Sequence, residues 1–474
     1  MTDFHYEPLS HLDASFLALE TKTSHMHVTG VALFDAAPLK SDDGGIDIDR
    51  IKGHIRSKLQ YIPRYRQKLD WVPYDRRPVW VDDEQFDFDY HVRHTSLPRP
   101  GSDDQLRNLA GRIVSTKLDR ARPLWELWVV EGMSNDRFAI IAKIHHCMID
   151  GLSGVDLTTI LLNVVPESTI EEEPEWTPRP APTPTQLAVA EAARFTRRMI
   201  DGLTNVGEIV KEGRAISDRA VDKSAAALSS LRSGWLSYSA KTPLNPDIGP
   251  NRRFTWTDME LADVKAIKDA LGGSVNDVVL AITTGAVRSF LIEQRDYDPS
   301  GAEFRAMNPV STRNPSHQGQ MGNQVAMWLV DLPIGEGDPL VRYEAIKAAT
   351  ANLKETNQAL GAATIVELSA GTPLTLLSLA SRFAGPRIRP FNMTITNIPG
   401  PQFPMYLLES QMLANYPMVP LWAQHGIGVA LFSYNGRLLW GVQADYDTLP
   451  DSDEFVTALH SSLHELRALA ESAT

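Results

Sequence analysis

Between Pro166 and Pro184 the chain carries six prolines and five glutamates against a single basic residue, Arg179. Proline fixes φ and removes a backbone donor, and neighbouring carboxylates repel, so this stretch is expected to be an extended, exposed linker. It divides the 474 residues into two parts. In the first part, strand and helix patterns are interspersed. Phe138 to Ile144 is apolar apart from Lys143, the pattern of a central strand buried on both faces. His27 to Phe34 is a second strand candidate, and Phe86 to Tyr90 alternates apolar and acidic residues with the period of a half-buried strand. Gly151 to Val165 places Leu152, Val155, Leu162 and Val165 near one face of a helix.

Beyond the linker, Gln186 to Arg232 is rich in Ala, Arg and Glu and reads as helical, bridging the two parts. The mixed pattern resumes at Asn251. Phe254 to Leu261, Val325 to Leu332 and Met393 to Thr396 are strand candidates, and Ser274 is placed to cap a helix running from Val275 to Gln294. Asn435-Gly436 sits between two apolar runs, a strong hairpin signal. Glu454 to Glu471 closes the pattern as an amphipathic helix. The reading is an α/β fold with an N-terminal half at 1–165, a linker with bridging helices at 166–250 and a C-terminal half at 251–474.

Composition narrows the function. With 43% hydrophobic and 22% charged residues the chain is an ordinary globular one, neither disordered nor fibrous. Its formal net charge of −13 argues against a general nucleic-acid binder. Cys147 is the single cysteine, which rules out an internal disulfide and fits a reducing, cytoplasmic compartment. Met1 to Leu9 has no apolar core of the kind a secretory signal needs. Leu368 to Ser381 is too short to span a membrane, and Ser410 to Gly436 is interrupted by Asn415, Pro417, Pro420, Gln424 and His425.

One short stretch is chemically pointed: Lys143-Ile144-His145-His146-Cys147-Met148-Ile149-Asp150-Gly151. It lies where the buried strand ends, and Gly151 permits a sharp change of direction. A strand continuing through both histidines would aim them at opposite faces, so only one can enter a given cleft. A neutral histidine there can take a proton from an alcohol or amine at pH 7, since its ordinary pKa is about 6.5. Asp150 suits either orienting His146 or pairing with an arginine to hold the turn. The same residues also suit a pair of packed core histidines beside a turn-capping aspartate. A zinc site lacks further ligands at useful spacing, and Cys147, facing away from its neighbour on a strand, reads as an inert buried thiol.

His145-His146-x-x-x-Asp150-Gly151 resembles the HHxxxDG signature of CoA-dependent acyltransferases. More narrowly, the chain resembles the bacterial wax ester synthase/acyl-CoA:diacylglycerol acyltransferase family, especially its mycobacterial triacylglycerol synthases. The resemblance covers nearly the whole length. It is carried by Leu9 to Phe16, Met26-His27-Val28, Pro78 to Val81 ahead of Phe86-Asp87, and Pro123-Leu124-Trp125-Glu126. Asn276-Asp277, Val310-Ser311-Thr312-Arg313 with Gly322-Asn323, and Asn397-Ile398-Pro399-Gly400-Pro401 continue it in order.

The resemblance implies two chloramphenicol-acetyltransferase-like halves with a channel between them. It implies His146 as general base, with His145 supporting. The acceptor hydroxyl then attacks the acyl-CoA thioester directly, with no acyl-enzyme, no metal and no cofactor beyond acyl-CoA as co-substrate. Asp150 takes a structural or orienting role as ion-pair partner of Arg313, and Asn276 is a candidate for the oxyanion site or the channel. The implied partners are long-chain acyl-CoA and either diacylglycerol or a long-chain alcohol, met at a membrane or lipid-droplet surface that the protein touches peripherally. Arg194, Arg197 and Arg198 on the bridging helix are candidates for contact with anionic lipid or CoA phosphates. Leu374, Leu376, Leu377 and Leu379 could line an acyl tunnel or form ordinary core.

Overall fold

The computed structural model describes residues 4–42, 44–148, 160–209, 239–311, 325–355 and 389–473. Up to residue 209 the elements are β1 (Glu7–Pro8), α1 (His11–Leu19), β2 (His27–Asp35), α2 (Ile48–Lys58), β3 (Gln67–Trp71), β4 (Pro78–Asp82), α3 (Phe88–His91), β5 (Val92–Ser96), α4 (Asp103–Ser115), β6 (Trp125–Met133), β7 (Arg137–His145) and α5 (Pro184–Ile209). From residue 252 they are β8 (Arg252–Glu260), α6 (Leu261–Leu271), α7 (Val275–Arg295), β9 (Phe304–Ser311), β10 (Val325–Leu332), α8 (Pro339–Glu355), β11 (Met393–Pro399), β12 (Tyr406–Leu407), β13 (Ser410–Met418), β14 (Ile427–Tyr434), β15 (Arg437–Asp445) and α9 (Ser452–Ala473).

Two six-stranded mixed sheets carry the fold, in the orders β12-β13-β2-β7-β6-β5 and β10-β9-β11-β14-β15-β8. A small sheet, β1-β4-β3, stands beside the first. β7 is the centre of the first sheet, and its residues from Phe138 to Ile141 are almost wholly buried, as its apolar run requires. In the second half Ser274 accepts from the Asp277 amide while Asp277 returns a bond to the Ser274 amide, a capping box that starts α7. α7 is apolar and long enough to cross a membrane, but it is a core helix packed against α6, α8 and α9. β14 and β15 pair through Tyr434 and Arg437, with Asn435 and Gly436 both at positive φ. That is the two-residue hairpin turn expected of this dipeptide.

The boundary at 250/251 does not separate the two sheets. β12 and β13 come from the C-terminal part yet extend the first sheet, β13 running antiparallel to β2 with Tyr416 opposite Val31. The crossing covers an edge of β2 that would otherwise expose unpaired backbone. It also locks the halves together. Tyr416 on β13 stacks on Trp256 of β8 with ring centroids 5.0 Å apart, and the Arg107 guanidinium of α4 covers the same tryptophan. The Tyr434 hydroxyl donates to the Met412 carbonyl at 2.9 Å and accepts from the Met405 amide at 2.8 Å.

Two local readings are corrected. Phe86 to Tyr90 is not a strand: the Asp87 carboxylate accepts from the amides of Asp89 and Tyr90 and starts the short helix α3. A capping aspartate outcompetes the alternating pattern because its bonds are local. The strand expected over Met393 to Thr396 runs further, since Asn397, Ile398 and Pro399 continue β11 in parallel with β14. The chain departs at Gly400, where a Cβ would lie 2.4 Å from both the Phe432 ring and the Ser433 carbonyl.

The linker is extended, as its prolines require, and it is also pinned. Arg179 grips Asp82 with two side-chain bonds of 2.9 and 2.8 Å, Glu171 pairs with Lys58, and Tyr61 donates to Glu171 at 2.8 Å. Burial opposes the charge on Asp82, but the bonds from Arg179 hold its carboxyl down at about 2.

Candidate active site

β7 ends at His145, and His146 opens a turn of 3₁₀ helix through Met148. The chain therefore bends between the two histidines. His145 stays in register, opposite His27 of β2, with the rings 5.9 Å apart and edge to face. Its backbone N–H donates to the Leu124 carbonyl at 2.9 Å. Its Nδ1 accepts the Cys147 amide at 3.2 Å, which places the ring proton on Nε2. That Nε2 is buried without a partner among the described residues. Burial, with Arg120 adding repulsion, pushes the His145 imidazole down to about 3.

His146 points elsewhere. Its backbone N–H donates to the Met26 carbonyl at 2.8 Å, tying the turn to the entry of β2. Its ring lies flat on Phe16 of α1, with centroids 3.8 Å apart and planes 18° from parallel. Ser10 caps α1 through the Asp13 amide, so the first motif of the sequence delivers Phe16 to the histidine. Nδ1 of His146 is buried and finds no partner on another described residue, and the residue as a whole keeps some exposure where its neighbours Ile144, His145 and Cys147 are buried. Desolvation pushes this imidazole down to about 4, a contact with its own backbone carbonyl opposing the shift. The ring is neutral at pH 7 and available as a proton acceptor. Cys147 beside it is sealed, and burial raises its thiol well above the ordinary range, so it is no thiolate.

A buried charged layer backs the histidines, and sequence reasoning did not find it. Lys143, fully buried, donates at 3.0 Å to the Ile113 carbonyl at the end of α4 and at 3.0 Å to the Thr116 hydroxyl. It faces Glu126 of β6 at 3.7 Å, and burial pulls its ammonium down to about 8. Glu20, at the end of α1, accepts from Arg120 and lies 3.9 Å from the His27 ring. Neither His27 nitrogen makes a well-formed hydrogen bond among the described residues, and desolvation lowers this imidazole well below its ordinary pKa, a backbone contact at Val114 opposing the shift. Only strand register, which a single sequence does not display, brings His27 to His145.

In the other half Asn276, on the first turn of α7, accepts through its side-chain carbonyl from Asn308 of β9 at 3.3 Å. This bond leaves the amide NH₂ as its donor end. Asp150 and Arg313 lie outside the described residues, as do Gly322-Asn323 and the leucines at 374, 376, 377 and 379. Arg194 is engaged with Glu191 at 3.3 Å and with the Tyr6 ring, and is not presented as a loose cation. Among the described residues no group of three His, Cys, Asp or Glu is arranged to hold a metal ion.

Comparison with known proteins agrees along the whole chain. Residues 9–279 match the model of the wax ester synthase/diacylglycerol acyltransferase catalytic domain, and residues 321–467 match the C-terminal domain of the same family. A probable diacylglycerol O-acyltransferase of Mycobacterium tuberculosis is 30% identical over 465 residues, covering 98% of this chain and 96% of the relative. Another from that species, a putative diacylglycerol O-acyltransferase, is 31% identical over 473 residues, with 98% and 96% covered. The solved wax ester synthase/diacylglycerol acyltransferase from Marinobacter aquaeolei superposes with a TM-score of 0.69 at 25% identity, covering 98% of this chain and 100% of that one. A starter condensation domain of rhizomide synthetase, solved with C8-CoA, superposes at 0.59 and 11% identity over 99% and 96%, and shares the fold. With two matched domains and relatives alike from end to end, the chain belongs to the wax ester synthase/diacylglycerol acyltransferase family and is an acyltransferase.

Proposed function

We propose that the protein transfers a long acyl chain from CoA to the hydroxyl of diacylglycerol or of a long-chain alcohol, with His146 as general base. The observation that carries this reading is an imidazole neutral at pH 7, stacked on Phe16 and carried on a backbone tied to Met26 just where the central strand ends. His146 takes the proton as the acceptor oxygen forms its bond to the thioester carbonyl carbon. The tetrahedral intermediate collapses by breaking C–S, and the imidazolium returns the proton to the CoA thiolate. Removing that proton in the transition state is worth roughly 10²–10⁴ in rate. Holding both substrates together supplies a further positioning term. Asn276 is assigned the oxyanion contact through its amide NH₂, and Asp150 the pairing with Arg313 that holds the turn.

His145, turned away into the charged layer, positions the turn through its bond to Cys147 and takes no proton. Diacylglycerol and fatty alcohols partition into lipid, so the protein is assigned a peripheral place at a membrane or droplet surface. Val189 and Phe195, exposed on α5, supply apolar contact there. The test is a purified-protein assay with long-chain acyl-CoA and the two acceptors offered in parallel. Free CoA should appear in step with ester, without a burst and without acylated protein. A stoichiometric burst of CoA ahead of ester would contradict direct attack.

A further inference from the structure

A cavity of about 380 Å³ opens between α2, α3 and the linker, on residues to which the acyl transfer assigns no part. Its walls are built from Arg56, Arg66, Phe86, Phe88 and Trp176, with Glu173 of the linker reaching in. The Arg66 side chain is 6% exposed, yet its one hydrogen bond with a described residue is to Glu173, at a long 3.3 Å. A guanidinium has five donors, and a buried one left with a single long contact is under-satisfied. Arg56 approaches the other oxygen of the same carboxylate at 3.8 Å. Each guanidinium is also held against a ring, Arg56 over Phe88 at 4.4 Å and Arg66 over Trp176 at 5.1 Å.

Two arginines thus share the two oxygens of one carboxylate that is itself 39% exposed. That is how paired guanidiniums take an anion with several oxygens, such as a phosphoryl group, and Glu173 occupies its place without good geometry. The rings of Phe86 and Trp176 meet edge to face, with centroids 6.2 Å apart and planes 76° from parallel. With the apolar side of Leu59 they form a corner in which a flat aromatic body can stack on one ring and meet the other with its edge. Glu175 also lines the cavity, so the local charges balance until Glu173 leaves.

The geometry points to a nucleotide site: a phosphoryl group displaces Glu173 from Arg56 and Arg66 while its base rests on Phe86 and Trp176. The site is independent of the acyl-transfer reading, because it is read by binding alone. Its nucleotide is either the nucleotide end of acyl-CoA or a free one. Calorimetric titration of the full chain with adenosine 3′,5′-bisphosphate, with 5′-AMP and with adenosine separates these sources. Preference for the bisphosphate assigns the site to the CoA end, and equal binding of AMP assigns it to a free nucleotide. Adenosine should bind at least about tenfold more weakly than either, since it lacks the group the arginines hold.

Glu173→Gln should tighten nucleotide binding about tenfold by removing the resident competitor. Arg66→Gln and Trp176→Leu should each weaken it by a similar factor, and the variants of partly buried Trp176 and exposed Glu173 keep the test open if Arg66→Gln folds poorly. No binding of either nucleotide at millimolar concentration, equal binding of adenosine, or unchanged affinity in Glu173→Gln would overturn the assignment.

Discussion

The imidazole of His146 and the ring of Phe16 lie face to face, with centroids 3.8 Å apart. One comes from the end of the central strand and the other from the first helix, so residues 130 positions apart define one surface. Phe16 limits the ring to one plane and sets where its proton-accepting nitrogen points. Phe16→Leu keeps an apolar residue there and removes the flat support. It should lower kcat by roughly tenfold to a hundredfold, as misplacing a catalytic group does. KM for acyl-CoA should change little, and stability should fall by only about 1 kcal/mol. Steady-state kinetics beside a thermal melt checks this.

The buried histidines set the acid response. Burial pushes His145 to about 3 and His146 and His425 to about 4, and also holds His27 well below its ordinary value. The unfolded chain takes up these protons near pH 6.5 and the folded chain refuses them until the pH is far lower. Stability is therefore complete above about pH 6.5 and falls as pH drops from there toward 4. Urea midpoints measured from pH 8 to 5 should fall on the acid side. Over the range where the protein stays folded, kcat/KM should show no break near 6.5, because His146 remains neutral there.

Lys143 makes a prediction about stability. Its ammonium is buried with Glu126, Ile113 and Thr116 as partners. Lys143→Met leaves the Ile113 carbonyl and the Thr116 hydroxyl without their donor, while Glu126 keeps Arg93 at 3.3 Å and the Trp128 indole at 3.1 Å, and should cost about 1–3 kcal/mol. Adding Glu126→Leu takes the shared acceptor from Arg93 and Trp128 as well and should deepen the loss rather than restore it. Chemical denaturation of the single and double variants decides it.

Gly441 of β15 marks where the crossing strand meets the second sheet. A Cβ there would lie 1.8 Å from the Pro417 carbonyl of β13, backbone against backbone. Gly441→Ala should cost about 3 kcal/mol and lower the melting temperature, with a matching loss of soluble yield. Gly436, with open space around its Cβ position, tests the contrast: Gly436→Asn keeps a residue tolerant of positive φ and should change stability little.

Periodicity and turn chemistry were legible. The apolar run ending at His145, the Ser274 cap and the Asn435-Gly436 hairpin follow from local rules, and the structure has each of them. Phe86 to Tyr90 misled because an alternating pattern cannot report that Asp87 will cap the backbone. β13 was legible as neither strand nor partner, since its place beside β2 depends on residues almost 400 positions away. Of the candidate site, the histidines stand in the motif itself. Their division of labour does not, because the bend after His145 and the register with His27 are tertiary facts. Lys143 read as the odd residue in an apolar strand. Its partners are the end of α4 and a glutamate of β6, visible only once the sheet is assembled.

The central claim is that His146 removes the acceptor proton while His145 only holds the turn. Its most direct test is ester formation by purified wild type, His146→Ala and His145→Ala, each checked for an intact fold by circular dichroism. His146→Ala should remain folded and lose roughly 10²–10⁴ of its kcat, while His145→Ala keeps a measurable rate. Equal activity of wild type and folded His146→Ala, or a reversed ranking of the two variants, would contradict the account.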